Sequence, residues 1–207
     1  MACRGAYATY GGTMVAFIGF ADNLSAWFGK AFAWLILLMS LGTGYEVFVR
    51  YVMNNPTAWA LDVSFIMYGT LFMMGGAYTL SRGGHVRGDF LYRLLQPKTQ
   101  AKIDLVLYLI FFFPGVTALI LSGWKYAARS WQYGEVSVNS PAGVPIYQFK
   151  AVIVAAGILL FIQGMAQVCR CILAMRDNYW LEADEDVFET EDLMMRAVNK
   201  AEKDHIT

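Results

Sequence analysis

Apolar residues run along this chain in four long stretches with little or no charge, separated by short charged segments. A helix crossing ~30 Å of hydrocarbon needs ~20 mostly apolar residues, because every unpaired backbone group in lipid is costly. Four segments meet that length, at about 31–53, 59–81, 105–124 and 151–169. The first carries its charges, Glu46 and Arg50, near its end. The second is uncharged from Val63 to Ser81. The third is uncharged throughout, with Pro114 inside it, and the fourth is uncharged as well. This pattern predicts an all-α integral membrane protein with four transmembrane helices.

A weaker apolar stretch, Met14 to Ala21, precedes the first span. Its length suits the apolar region of a signal peptide, but Asp22 and Asn23 follow it, so Thr13 to Lys30 reads as an interfacial lead-in. Beyond the second span, Val86, Phe90, Leu91, Leu94 and Leu95 recur at helical spacing, with Arg87, Arg93 and Lys98 as a basic face. That suits a short amphipathic helix lying in the membrane interface. The chain after Asn178 turns acidic, a composition that usually stays solvated. The expected organisation is therefore an N-terminal cytoplasmic or interfacial segment 1–30, a membrane domain 31–176 and an acidic cytoplasmic tail 177–207.

Composition agrees with a membrane protein: 57% of the residues are hydrophobic and only 15% are charged. Sixteen basic residues balance sixteen acidic ones, so no basic excess exists to hold a nucleic acid. Of the 16 Lys and Arg residues, 12 fall in the termini and the 82–102 loop, and 4 on the other side. By the positive-inside rule both termini and the 82–102 loop face the cytoplasm, and the 54–57 turn and the 125–149 loop face outward. The outward loop is rich in rings, namely Trp124, Tyr126, Trp131, Tyr133 and Tyr147, which favour the headgroup level. Lys150 reads as an interface anchor. Membrane lipids are thus expected partners.

Ionisable groups near spans are functional candidates, with ion pairing as the common alternative. Glu46 and Arg50 stand four apart, acid first, the favourable order for a pair within one helix. Asp62 falls near the first turn of the second span, where the helix dipole tolerates negative charge. Thr57 is a candidate cap for that helix, and Arg50 a candidate partner for Asp62 across the hairpin. Gly75-Gly76-Ala77, Gly42 and Gly44 permit close helix packing. Cys169 and Cys171 stand two apart on a helix and do not face each other, which argues against metal chelation.

Three classes of function come into question. A haem protein needs axial ligands between helices, and neither His85 nor His205 falls in a span. A stand-alone transporter or channel could use Glu46, yet repeats and a midplane polar site are missing from the pattern. An accessory subunit needs spans, anchors and packing surfaces but no catalytic constellation and no cofactor, which is what the residues offer.

Three runs of residues point to a family. The first is Tyr45-Glu46-Val47-Phe48-Val49-Arg50-Tyr51-Val52 with Asn55-Pro56-Thr57 and Trp59. The second is Gly76-Ala77-Tyr78-Thr79-Leu80 with Gly84-His85-Val86-Arg87-Gly88-Asp89. The third is Trp131, Glu135, Ser137, Pro141, Pro145 and Lys150. In this order the chain resembles the small integral-membrane subunit of tripartite ATP-independent periplasmic (TRAP) transporters, in the branch labelled for mannitol or chloroaromatic compounds. Asp62, where many relatives carry Glu, and Gly88, where a small aliphatic residue is commoner, depart from the pattern. The resemblance implies a non-enzymatic scaffold for a large membrane subunit that carries the substrate and sodium sites. It also implies a periplasmic solute-binding protein as partner and sodium-driven uptake, commonly of organic acids. Glu46, Arg50, Trp59 and Asp62 at the outer hairpin, and His85, Arg87 and Asp89 on the inner side, are the expected structural or subunit-contact residues. None is expected to bind substrate, metal or cofactor.

Overall fold

A computed structural model describes residues 12–83 and 96–177. His85, Arg87, Asp89, the expected interfacial helix and the acidic tail lie outside them. The described residues form six α-helices: α1 (Gly12–Ala33), α2 (Leu35–Tyr51), α3 (Ala60–Ser81), α4 (Pro97–Leu107), α5 (Phe113–Tyr133) and α6 (Tyr147–Asp177). A π-helical turn, Tyr108–Phe112, joins α4 to α5. Four continuous helical stretches are long and apolar enough to cross a membrane: Gly12–Tyr51, Ala60–Ser81, Lys98–Tyr133 and Tyr147–Arg176. The protein is all-α, and its four long apolar helices are those of a multi-pass membrane protein.

Helix α6 is the axis of the bundle. It packs against α5, α3, α4 and α1, whereas α2 lies chiefly along α3. The core is divided into small clusters instead of one continuous centre. Met74, Ala77, Ala156 and Leu159 join α3 to α6. Ile18, Ala21, Ala166 and Leu173 join α1 to α6, and Ala101, Cys171 and Ala174 join α4 to α6. Most large apolar side chains of α2 and α5, such as Leu41, Phe48, Leu121 and Trp124, point outward. In lipid, outward apolar side chains carry no hydrophobic penalty, so helix association rests on close packing of small residues and on hydrogen bonds.

The stretch expected as an interfacial lead-in is the packed helix α1. Ile18, Ala21, Ser25 and Gly29 line its buried face at helical spacing. Gly29 meets α3 so closely that a Cβ there would stand 2.5 Å from the Tyr78 Cβ. That contact fixes the register. The chain around and after Gly29 runs antiparallel beside α3, whose 22 residues cover roughly 33 Å at about 1.5 Å per residue, close to the hydrocarbon thickness. The 40 residues of Gly12–Tyr51 rise about 60 Å in all. The first part of α1 therefore runs on past the end of α3, beside the second half of α6.

The third long helix extends at both ends beyond 105–124, because Lys98 to Asp104 and Lys125 to Tyr133 continue it. Pro114 explains its wide turn. Proline has no N–H to donate to Ile110 and its ring crowds that carbonyl. The backbone widens ahead of it, and the Phe113 N–H donates to the Tyr108 carbonyl. This turn sets Phe112 over Gly164 of α6, where a Cβ would stand 2.3 Å from the ring. Gly29, Gly69, Gly157 and Gly164 are the close-packing glycines. Gly42, Gly44 and Gly75 face open space, and only Gly76 and Ala77 of their set touch or pack inward.

Candidate functional site

The polar chemistry of the bundle gathers at its two ends. At the loop end lie the turn after α2 and segment 134–146, the latter joined to the first turn of α3. The Arg50 guanidinium donates to Glu46 Oε1 at 2.8 Å. The other oxygen of Glu46 accepts from the Thr57 backbone N–H at 3.3 Å and from the Thr57 hydroxyl. Thr57 thus closes the turn onto α2 and does not cap α3, whose first residue follows Trp59 without a side-chain cap. Asn54 takes a left-handed conformation (φ 49°) in that turn, which Asn tolerates well. Trp59 is partly exposed beside it.

Asp62 stands in the first turn of α3, but Arg50 is not its partner. The Ser137 hydroxyl donates to Asp62 Oδ1 at 2.8 Å, and the Ser140 hydroxyl donates to Oδ2. The carboxylate is only 3% exposed. The sequence places these serines 75 and 78 residues away, so no local pattern could reveal the contact. Segment 134–146 is itself a narrow hairpin. The Ser137 N–H donates to the Val144 carbonyl, and the Ile146 N–H to the Glu135 carbonyl. Gly134 and Gly143 supply positive φ at its two bends.

Lys150, expected as an interface anchor, is buried within the protein. Its ammonium donates to Glu135 across the base of the hairpin and stands 3.9 Å over the Tyr126 ring. The Lys150 ammonium holds the Glu135 carboxyl below the usual carboxylate range. A pocket of about 310 Å³ lies under the hairpin, with Asp62, Ser137, Asn139 and Lys150 on its polar side and Phe65, Ile66, Phe149 and Ile153 on its apolar side.

A second polar cluster occupies the opposite end, where α1, α3 and α6 meet. Gln163 donates to Asp22 Oδ1 at 2.8 Å and accepts from the Ser25 hydroxyl at 2.8 Å. Arg170 donates to Asp22 Oδ2 and to the Ser81 carbonyl, and Gln167 donates to the Leu80 carbonyl at 2.7 Å. Those two carbonyls belong to the last turn of α3, where side-chain donors of α6 supplement the helix's own ladder. Gln163, Gln167 and Arg170 follow one another at i, i+4 and i+7. That polar stripe on an apolar helix was the available signal for this cluster, with Asp22 as the acid facing it.

Among the described residues no group of three or more His, Cys, Asp or Glu is placed to hold a metal ion. The carboxylates of Glu46 and Asp62 are each taken up by hydrogen bonds that join one segment to another.

The family model for the DctQ component of tripartite ATP-independent periplasmic transporters matches residues 39–174, which is more than half of the chain. The chain belongs to this family. The DctQ component is part of a transporter and not an enzyme, and its matched region takes in the loop-end cluster and the α6 side of the opposite one. A curated relative, the sialic acid TRAP transporter small permease protein SiaQ of Vibrio cholerae serotype O1, is 26% identical over 87 residues, 42% of this chain. The match spans about half (49%) of that relative's length.

Proposed function

We propose that this DctQ component is the fixed small subunit of a TRAP transporter, bracing a larger membrane subunit that carries the solute and sodium sites. The supporting observation is how Glu46 and Asp62 are used. The Glu46 carboxylate is taken by Arg50 and Thr57, and the Asp62 carboxylate by Ser137 and Ser140. A moving domain needs a frame whose helices hold their mutual positions, and the two end clusters fasten α1, α3 and α6 to one another. Sodium-coupled uptake of an organic acid with a periplasmic solute-binding protein is the reading that the family favours. The sialic acid named for SiaQ is itself a carboxylic acid.

In this reading the protein sits in a bacterial inner membrane with both termini cytoplasmic. The loop end, with its hairpin 134–146, faces the binding protein, and the α1 end faces the cytoplasm. The excess of Lys and Arg at the termini and the 82–102 loop supports that orientation. Arg50 and Trp59 keep exposed surface at the loop end and serve there as subunit contacts. His85, Arg87 and Asp89 take the same role on the cytoplasmic side. The organisation into segments 1–30, 31–176 and 177–207 accompanies this proposal. The test is affinity purification of the tagged chain from native membranes under mild detergent. A stoichiometric large membrane protein is expected; repeated isolation of the chain without one overturns the reading.

A further inference from the structure

The pocket under the hairpin is chemically divided. Its deep end holds Asp62 and Lys150, 3% and 5% exposed, while Phe65, Ile66, Phe149 and Ile153 form its apolar wall. Phe65 is 57% exposed, so that wall runs out onto the surface of the bundle. A carboxylate has about four lone-pair positions. The Ser137 and Ser140 hydroxyls fill two of those on Asp62, one on each oxygen. Both donors are neutral. A carboxylate buried on neutral donors alone keeps an uncompensated charge, which is costly in a low-dielectric site. The helix dipole at the first turn of α3 offsets part of it. Lys150 does not supply the rest by direct contact, because its ammonium goes to Glu135 and Tyr126.

A ligand that completes this pocket carries a hydrogen-bonding cation for Asp62. It also carries an anionic group that Lys150 and the hairpin's polar groups can meet, and a hydrocarbon chain for the phenylalanine and isoleucine wall. We propose that the pocket binds one aminophospholipid, with the primary ammonium of an ethanolamine headgroup on Asp62, its phosphate on the Lys150 side and an acyl chain leaving past Phe65. Charge complementarity selects this lipid over an anionic one, whose headgroup brings no cation to Asp62. It also selects it over a choline lipid, whose quaternary nitrogen has no N–H to donate. The bound lipid fastens the hairpin to α3 and α6. The inference rests on the membrane setting and the pocket, and it stands whether or not the large subunit is the partner proposed above.

The test is native mass spectrometry of the purified full chain, exchanged into phosphatidylethanolamine, phosphatidylglycerol or phosphatidylcholine, with thermal unfolding of each sample. One retained phosphatidylethanolamine is expected, with about tenfold weaker retention of the other two, as befits the loss of one charge-assisted hydrogen bond. Asp62→Asn is expected to abolish that preference. Ile153→Trp fills the apolar wall without touching the hairpin's hydrogen bonds. It is expected to leave the fold intact and remove both the retained lipid and the stabilisation by added phosphatidylethanolamine. Soluble glycerophosphoethanolamine, the headgroup without chains, is expected not to bind. Equal retention of the three lipids, undiminished retention by Ile153→Trp, or equal binding of the soluble headgroup overturns the proposal.

Discussion

The two ends of the bundle solve the same problem differently. At the α1 end, Asp22, Ser25, Gln163 and Arg170 join elements 138 to 148 residues apart, and Gln163 is fully buried. The contacts there fasten helix to helix. At the loop end, Glu46–Arg50 and Glu135–Lys150 span only 4 and 15 residues, and one side chain of each pair keeps exposed surface. The Glu46–Thr57 and Glu135–Lys150 contacts fasten loops to helix ends, and only Asp62 reaches far along the chain. One end is a clamp centred on buried Gln163 and Arg170, with Asp22 partly exposed at its edge, and the other is a shaped surface with more accessible charges. Both features suit the role proposed above, a fixed subunit that also meets an external partner.

Breaking the clamp should have the largest effect. Asp22→Ala leaves the buried Arg170 guanidinium without its counter-charge, and about 3–5 kcal/mol of stability is expected to be lost, read as a fall in unfolding midpoint in detergent. Adding Arg170→Ala should restore part of that loss, so the double variant is expected to be strongly non-additive. If the two losses simply add, the clamp is not a unit.

Removing Asp62 should cost less and act locally. Asp62→Ala deletes two hydrogen bonds to a charged group, each worth roughly 1.5–3 kcal/mol in such settings, although the desolvated carboxylate also disappears, so about 2 kcal/mol net is expected. Limited proteolysis should then cut within 134–146 while α6 stays protected. Equal protection of the hairpin in wild type and variant would show that Asp62 does not hold it.

Close packing lies next. Gly164→Val drives a side chain into Phe112, and about 1–3 kcal/mol of destabilisation is expected. Gly42→Val, at a glycine facing open space, should leave the isolated chain unchanged in the same thermal assay.

The smallest effect is that of acid on the hairpin base. The Lys150 ammonium lowers the Glu135 pKa, so the carboxylate's contribution is complete above its ordinary value near 4.5 and is lost as pH falls through the depressed folded value. Amide exchange of segment 134–146 should therefore be flat from neutral pH down to that ordinary value, after correction for intrinsic rates, and quicken only below it. Glu135→Gln should abolish the acid-dependent step.

Local patterns made the long helices and the nearest pair legible. Continuous apolar runs marked the membrane helices, and four-residue spacing marked Glu46 with Arg50. The limits came from contacts between distant segments. Asp62 met Ser137 and Ser140 in place of Arg50, and Lys150 turned inward to Glu135, because the hairpin folds back over the helix ends. The α1 face was disguised, since its buried stripe uses Ala21, Ser25 and Gly29, small residues that carry little hydrophobic signal. Pro114 was visible, but the wide turn it induces and the seat it gives Phe112 on Gly164 depend on a facing helix. The family model spans residues 39–174, a range that takes in all three runs of residues that carried the resemblance.

Solute uptake into proteoliposomes tests the central claim most directly, with the chain alone, the large subunit alone and the two together, each with the binding protein outside and a sodium gradient imposed. The account predicts no uptake by the chain alone and full uptake only with both subunits. Sodium-dependent uptake by the chain alone would contradict it.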